Sequence, residues 1–198
     1  MAGKRIIYTP DFKQFTRQHP GLIGKFLEAY KNNAEKADFE GASITKLRNL
    51  PGQYHRGLWQ VKAEGYNFFV KEGKSQKNHD GYSQFICLQE LSTIKNDKVD
   101  VIKPYFGFSG EKTSFLVVDF CDLPVLGWED RSLVGRIREM WRKTKKLHKA
   151  LYNFSNAAYS KLNIGDLHPE NAFLDEKNRK IIVFDPRSVK YCEADCRW

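Results

Sequence analysis

The chain has 198 residues and a formal charge of +9, with 41% apolar and 14% aromatic residues. That length fits one compact domain or one domain built of two small lobes, and the apolar content excludes disorder as the starting assumption. The charge suits anionic partners such as nucleotides, nucleic acid, phospholipid headgroups or acidic protein surfaces, without selecting among them.

The first predicted element is a helix over "YTPDFKQFTRQ", with Thr9 as cap, Pro10 in the first turn and Asp11 near the positive helix end. Pro20-Gly21 breaks it. A second helix follows, with Leu22, Ile23, Phe26, Leu27 and Tyr30 at helical spacing. About the first 37 residues therefore read as a helical preface. Strands are predicted over Ile44 to Leu50, "GLWQVKAE" and "YNFFVKEG", with turns at Pro51-Gly52 and Glu64-Gly65. A helix is predicted from about Gly81 to Asn96, then strands over "DVIKPYFGFS" and "TSFLVVDF" joined by Gly110, Glu111 and Lys112.

Next comes a long amphipathic helix. Leu133, Ile137, Met140, Trp141, Leu147 and Leu151 form its apolar stripe, and the other face is rich in Arg and Lys. A polar loop, a short strand "AFL", a turn at "DEKNRK" and a strand "IIVF" complete an α+β plan with two lobes. No apolar run is long enough to span a bilayer, and "MAGKRIIYTPDF" lacks the apolar core of a signal peptide. Cys87, Cys121, Cys192 and Cys196 do not have the spacing of a disulfide framework. A reduced, cytoplasmic setting is the expectation. Cys192 and Cys196 are four apart but have no His or Cys pair beside them to complete a metal site.

The chemistry concentrates in "NIGDLHPENAFLDEKNRKIIVFDP". Asp166 and Asn171 are five apart, and Asp185 lies fourteen beyond Asn171 at the end of an apolar strand. If "AFL" and "IIVF" pair as a hairpin, Asn171 and Asp185 meet at one end of it, with Asp166 just before the same strand. Phosphoryl transfer needs such a set, because its catalysis is mostly positioning and electrostatics. One aspartate aligns the attacking hydroxyl and accepts its proton. An asparagine and a second aspartate hold Mg²⁺, which prefers oxygen ligands. Each residue alone is an ordinary turn or cap residue; the three in this pattern, with Lys71 and Glu90 upstream, point to a site.

"GDLHPEN" resembles the catalytic loop of the protein-kinase-like superfamily, with its Asp-x4-Asn spacing. The Asp-Leu-His-Pro-x-Asn wording is most similar to the aminoglycoside phosphotransferase and related small-molecule kinase branch. "VFDP" stands where that superfamily has its Asp-Phe-Gly motif. The resemblance implies a minimal two-lobed kinase-like fold with an extra N-terminal helical segment and a truncated C-lobe. It divides the chain into a helical extension over 1–40, a β-rich lobe over 41–122 and a helical lobe over 123–198. Small bacterial effector kinases and phage-type kinase-like proteins are similarly short.

The same resemblance implies roles for the residues. Asp166 is the expected base, and Asn171 and Asp185 the expected metal ligands. Lys71 of "FFVK" holds ATP phosphates, and Glu90 on the following helix braces it. Backbone groups of Asp119, Phe120 and Cys121 meet the adenine edge, and Asp122 reaches the ribose. The turn holding Gly52 and Gly57 covers phosphates, with His55 or Arg56 adding charge. The chain departs from the superfamily pattern at this glycine turn, which is degenerate, and at Ile164, where histidine is frequent. His168 is expected to hold the loop and His148 to be a packed or surface residue. Expected ligands are ATP and Mg²⁺, and the acceptor is a hydroxyl of a small molecule, sugar or protein. The alternative is a binding module of the same fold that docks an acidic protein or RNA through the basic helix at 136–149.

Overall fold

The computed structural model describes the backbone of residues 4–47, 55–74, 80–123 and 134–188, and the side chains of these except 55, 56, 74 and 134–144. The predicted turn at Pro51-Gly52, the candidate phosphate-covering Gly52, the side chains of His55 and Arg56, and Cys192 with Cys196 lie outside them. The chain divides into two compact units: residues 1–85 with 103–120, and residues 86–102 with 121–198.

The first unit is built on a seven-stranded sheet. Its strands are β1 (Arg5–Tyr8), β2 (Lys36–Phe39), β3 (Ala42–Leu47), β4 (His55–Ala63), β5 (Tyr66–Lys74), β7 (Pro104–Ser109) and β8 (Thr113–Asp119). They lie in the order β1-β7-β8-β5-β4-β3-β2. All neighbours in it are antiparallel. Helices α1 (Pro10–Gln18) and α2 (Leu22–Lys31) bury one face of this sheet. Thr9 caps α1 as expected, its side chain accepting from Phe12 N–H, and Asp11 occupies the first turn.

The N-terminal 40 residues are thus more than a helical preface. β1 pairs with β7 and β2 with β3, so both ends of this segment are strands of the main sheet. Both strands are four residues long and lie at the sheet edges, too short for a periodicity signal to separate from a loop.

Alternation sorts β5. Phe68, Val70 and Glu72 point to the face packed by α1 and α2, where Phe12, Phe15, Leu22, Trp59 and Val117 complete the core. Glu72 is a buried carboxylate there and accepts a hydrogen bond of 2.7 Å from the Tyr30 hydroxyl. Between the two helices and the sheet lies an apolar cavity of about 270 Å³, lined by Phe26, Val61, Phe106 and Phe115 among others.

Helix α3 (Gly81–Leu91) begins in the first unit and ends in the second. Asp80 caps it, accepting from Ser83 N–H, and also accepts from Arg5 of β1 at 2.6 Å. Its first residue must be glycine: a Cβ on Gly81 would stand 1.9 Å from the Phe115 carbonyl oxygen.

The second unit packs α4 (Val134–Leu162) and the end of α3 against a small sheet of β6 (Val99–Val101), β10 (Ala172–Asp175) and β11 (Lys180–Val183). The single strand predicted over "DVIKPYFGFS" is therefore two. β6 runs parallel to β11, while β7 belongs to the other sheet. Leu147, Leu151, Phe154 and Ala158 of α4 face the core. Two further strands, β9 (Ile164–Gly165) and β12 (Arg187–Ser188), pair with one another. Among the described residues no helix is long and apolar enough to cross a membrane.

Candidate active site

The polar loop is held from both ends. Asp166 follows β9 directly, and a 3-10 turn over Pro169–Asn171 leads into β10. The hairpin expected from the sequence is present, with Ala172 opposite Val183 and Leu174 opposite Ile181. Its open end is closed by Phe184 N–H donating to the Asn171 carbonyl at 3.0 Å. Asn171 and Asp185 therefore flank the same end of the hairpin. The chain then returns as β12, placing Arg187 opposite Gly165, the residue before Asp166.

Asp166 and Asp185 both adopt left-handed backbone, at φ 65° and 56°. Aspartate tolerates this region better than most residues, but it is still the less populated choice and concentrates where a site is over-determined by its surroundings. Here the hydrogen bonds of the loop supply that constraint.

The Asp166 carboxylate is half-buried and flanked by two nitrogen-bearing side chains. Arg187 Nε lies 2.9 Å from Oδ2, at ion-pairing distance rather than in a linear hydrogen bond. His168 Nε2 lies 3.2 Å from Oδ1. The His168 ring also caps the 3-10 turn, Nδ1 accepting from Glu170 N–H at 3.3 Å. Nε2 stands between the Asp166 carboxylate and the Asn171 amide nitrogen, and whether it donates or accepts there depends on the tautomer. His168 is thus a loop-holding residue, as expected.

Asn171 Nδ2 donates to the Asp166 carbonyl at 2.8 Å and sits 3.2 Å from His168 Nε2. Its amide nitrogen is committed, which leaves Oδ1 as the atom for a cation. Asp185 contributes a carboxylate two residues past β11. These are hard oxygen donors of the kind Mg²⁺ takes. Among the described residues no group of three or more His, Cys, Asp or Glu side chains forms a metal site. A cation here would need the remaining oxygens from substrate and water, the usual arrangement for Mg²⁺ on phosphates.

Arg187 is the residue the sequence did not disclose. Its partner is 21 residues upstream, and only the two-residue ladder of β9 and β12 brings them together. Ile164 is buried in the core of the second unit and gives Asp166 no polar support.

The other candidates are placed as follows. Lys71 lies in β5 in register with Leu58 of β4 and Leu116 of β8, on the sheet face opposite α1 and α2. Glu90 is half-buried near the end of α3, in the second unit, whereas Lys71 belongs to the first. Gly57 lies in β4 beside a register shift. A Cβ there would meet Trp59 Nε1 at 3.0 Å and Glu72 Oε2 at 3.3 Å, so packing under α2 already accounts for a glycine at this position.

In the proposed adenine-facing segment, the Asp119 amide donates to the Lys103 carbonyl at 3.0 Å and the Phe120 amide to the Asn67 carbonyl at 2.9 Å. The Asp119 side chain accepts from the Tyr105 hydroxyl at 2.7 Å. Burial first, and then this bond to Asp119, push the Tyr105 hydroxyl up to about 12. Two of the segment's amides are thus occupied by the protein itself.

No protein-family model matches the chain, and no curated protein matches it. Its fold is similar to that of protein kinase domains among solved structures. One is the crystal structure of the BubR1 kinase domain, with 13% identity and a TM-score of 0.46, covering 86% of this chain and 61% of that one. Another is the maize SIRK1 (sucrose-induced receptor kinase 1) kinase domain bound to AMP-PNP, with 12% identity and a TM-score of 0.48, covering 75% of this chain and 54% of that one. The chain spans less than two thirds of the length of either.

Proposed function

We propose that this chain is an ATP- and Mg²⁺-dependent phosphotransferase acting on a hydroxyl of a small molecule, sugar or protein. The reading is supported chiefly by one observation: Asn171 Nδ2 is bonded to the Asp166 carbonyl while the Phe184 amide is bonded to the Asn171 carbonyl, so one loop ties the three candidate residues to one hairpin end. Asp166 accepts the proton of the acceptor hydroxyl as that oxygen bonds to the γ-phosphorus of ATP, the bridging Pγ–O bond breaks and ADP leaves. Arg187 and His168 hold the carboxylate in place from two sides. Asn171 and Asp185 would supply oxygens to the cation, and Lys71 is assigned to the phosphates. The metal, when bound, offsets charge developing on the transferred phosphoryl group.

The test is transfer from γ-labelled ATP to a small-molecule panel and cell lysate, with Asp166→Ala as control. Transfer should vanish in the variant while nucleotide affinity stays nearly unchanged. Equal labelling by both proteins sinks the proposal.

A second reading, a binding module of the same fold without transfer, draws on the committed amides of Asp119 and Phe120. A ligand that binds the native state must raise apparent stability. No thermal shift with ATP and Mg²⁺ would favour this second reading.

A further inference from the structure

The C-terminal part of α4 presents two opposite faces. Leu147, Leu151, Phe154 and Ala158 are buried. Lys145, Lys149, Tyr152, Asn156 and Tyr159 repeat at the same alternating spacing of four and three, displaced by two residues and so on the far side of the helix. All five are exposed. Tyr152 is 66% and Tyr159 57% exposed, the two most exposed large apolar side chains among the described residues of the helix. From Lys145 to Leu162 there is no Asp or Glu, and Lys146 and Lys161 add exposed positive charge beside the stripe.

We propose that this face of α4 binds single-stranded nucleic acid. The chemistry of the stripe selects among anionic partners. Lysines alone would serve an acidic protein surface; two exposed rings spaced along a lysine-bearing, carboxylate-free stripe suit a partner that offers both flat π-faces and a phosphate backbone. A membrane-surface helix needs an aliphatic or Trp/Phe face, and the exposed residues here offer none. Unpaired bases, by contrast, present flat π-faces that stack on aromatic side chains, while the backbone takes the lysines. Tyr152 and Tyr159 are two turns apart, about 10 Å along the axis. That separates two stacking platforms with Lys145 and Lys149 beyond one of them. Duplex nucleic acid hides its base faces and would engage only the lysines. The net charge of +9 adds long-range attraction.

The proposal stands independently of phosphoryl transfer. Its test is fluorescence-anisotropy titration of the full chain with a labelled 20-mer of oligo-uridine, a same-length duplex and a poly-glutamate peptide. The variants are Tyr152→Ala with Tyr159→Ala, Tyr152→Phe with Tyr159→Phe, and Lys145→Gln with Lys149→Gln. The single strand should bind more tightly than the duplex. The double alanine variant should lose about tenfold or more per ring, and the double phenylalanine variant should keep its affinity. The lysine pair variant should reduce the log–log salt slope by about 1.4, or about 0.7 per phosphate contact. All substituted side chains are exposed, so melting temperatures should not move. Equal binding by wild type and double alanine variant, preference for duplex or poly-glutamate, or no binding at low salt would each overturn the proposal.

Discussion

Arg187 Nε stands 2.9 Å from Asp166 Oδ2, and the residue before Asp166 is laddered directly to Arg187. The support that Asp166 lacks from Ile164 comes instead from after the hairpin. A guanidinium is always charged, and its planar fork fixes orientation as well as charge. For the base proposed here, which would have to meet a hydroxyl at hydrogen-bond distance, orientation is the larger contribution: misplacement by about 1 Å costs on the order of 10²-fold in rate.

Arg187→Ala should therefore lower kcat by about 10²-fold with little change in the KM for ATP. Arg187→Lys, which keeps the charge but not the fork, should fall between. Steady-state kinetics on all three proteins, with melting curves to confirm folding, decide the matter. A change confined to KM would show that Arg187 contributes to nucleotide binding and not to placing Asp166.

Asn171 has two assignments that a pair of variants can separate. Its nitrogen donates to the Asp166 carbonyl, and its oxygen is the proposed cation ligand. Asn171→Asp keeps an oxygen donor but cannot make the bond to the carbonyl, while Asn171→Ala removes both. If cation binding dominates, Asn171→Asp should retain a Mg²⁺ requirement near that of wild type, and Asn171→Ala should need about tenfold or more metal for half-maximal labelling. Matching metal dependence in the two variants would mean that the loop bond is what matters.

Much of this site was legible in the chain because its signals are local. Thr9 and Pro10 mark a helix start, "AFL" and "IIVF" flank a turn, and Asp166, Asn171 and Asp185 fall within twenty residues. What was hidden depends on distant pairing. β1 and β2 are edge strands whose only reason for being strands is β7 and β3. "DVIKPYFGFS" reads as one apolar run, yet Pro104 begins a strand of a different sheet from β6. Arg187 looks like any surface arginine until the ladder of β9 and β12 sets it beside Asp166. Gly57 is ambiguous in a different way, since a missing side chain beside Trp59 and one over a phosphate look the same in sequence.

Alkaline pH should loosen the first unit. Tyr105 has its hydroxyl raised to about 12 by burial and by donation to Asp119. Its proton is held more tightly folded than unfolded. The stabilisation is therefore complete below the ordinary tyrosine value of about 10 and is lost as pH rises from there through about 12. Lys103 is also raised, chiefly by its hydrogen bond to Asp11, so its contribution fades in an overlapping alkaline range. Denaturant midpoints measured across that range should decline for wild type and decline less for Tyr105→Phe, which also removes the part of the Lys103 shift that Tyr105 supplies. An identical slope in the variant would place the titrating group elsewhere.

The same chemical change should have opposite signs at two glycines. At Gly81 a Cβ would sit 1.9 Å from the Phe115 carbonyl oxygen and 2.3 Å from its carbon, both backbone atoms of a central strand. Neither can move without shifting β8 or α3, so Gly81→Ala should cost about 1–3 kcal/mol or more. Gly24 lies in α2, and a methyl group added there would find nothing within 4 Å. Alanine at that position relieves the entropic cost of glycine in a helix and should gain up to about 1 kcal/mol. Melting should drop by about 2–12 °C for Gly81→Ala and rise slightly for Gly24→Ala. A neutral Gly81→Ala would mean that α3 does not seat directly on β8, and with it would go the account of why this helix begins with glycine.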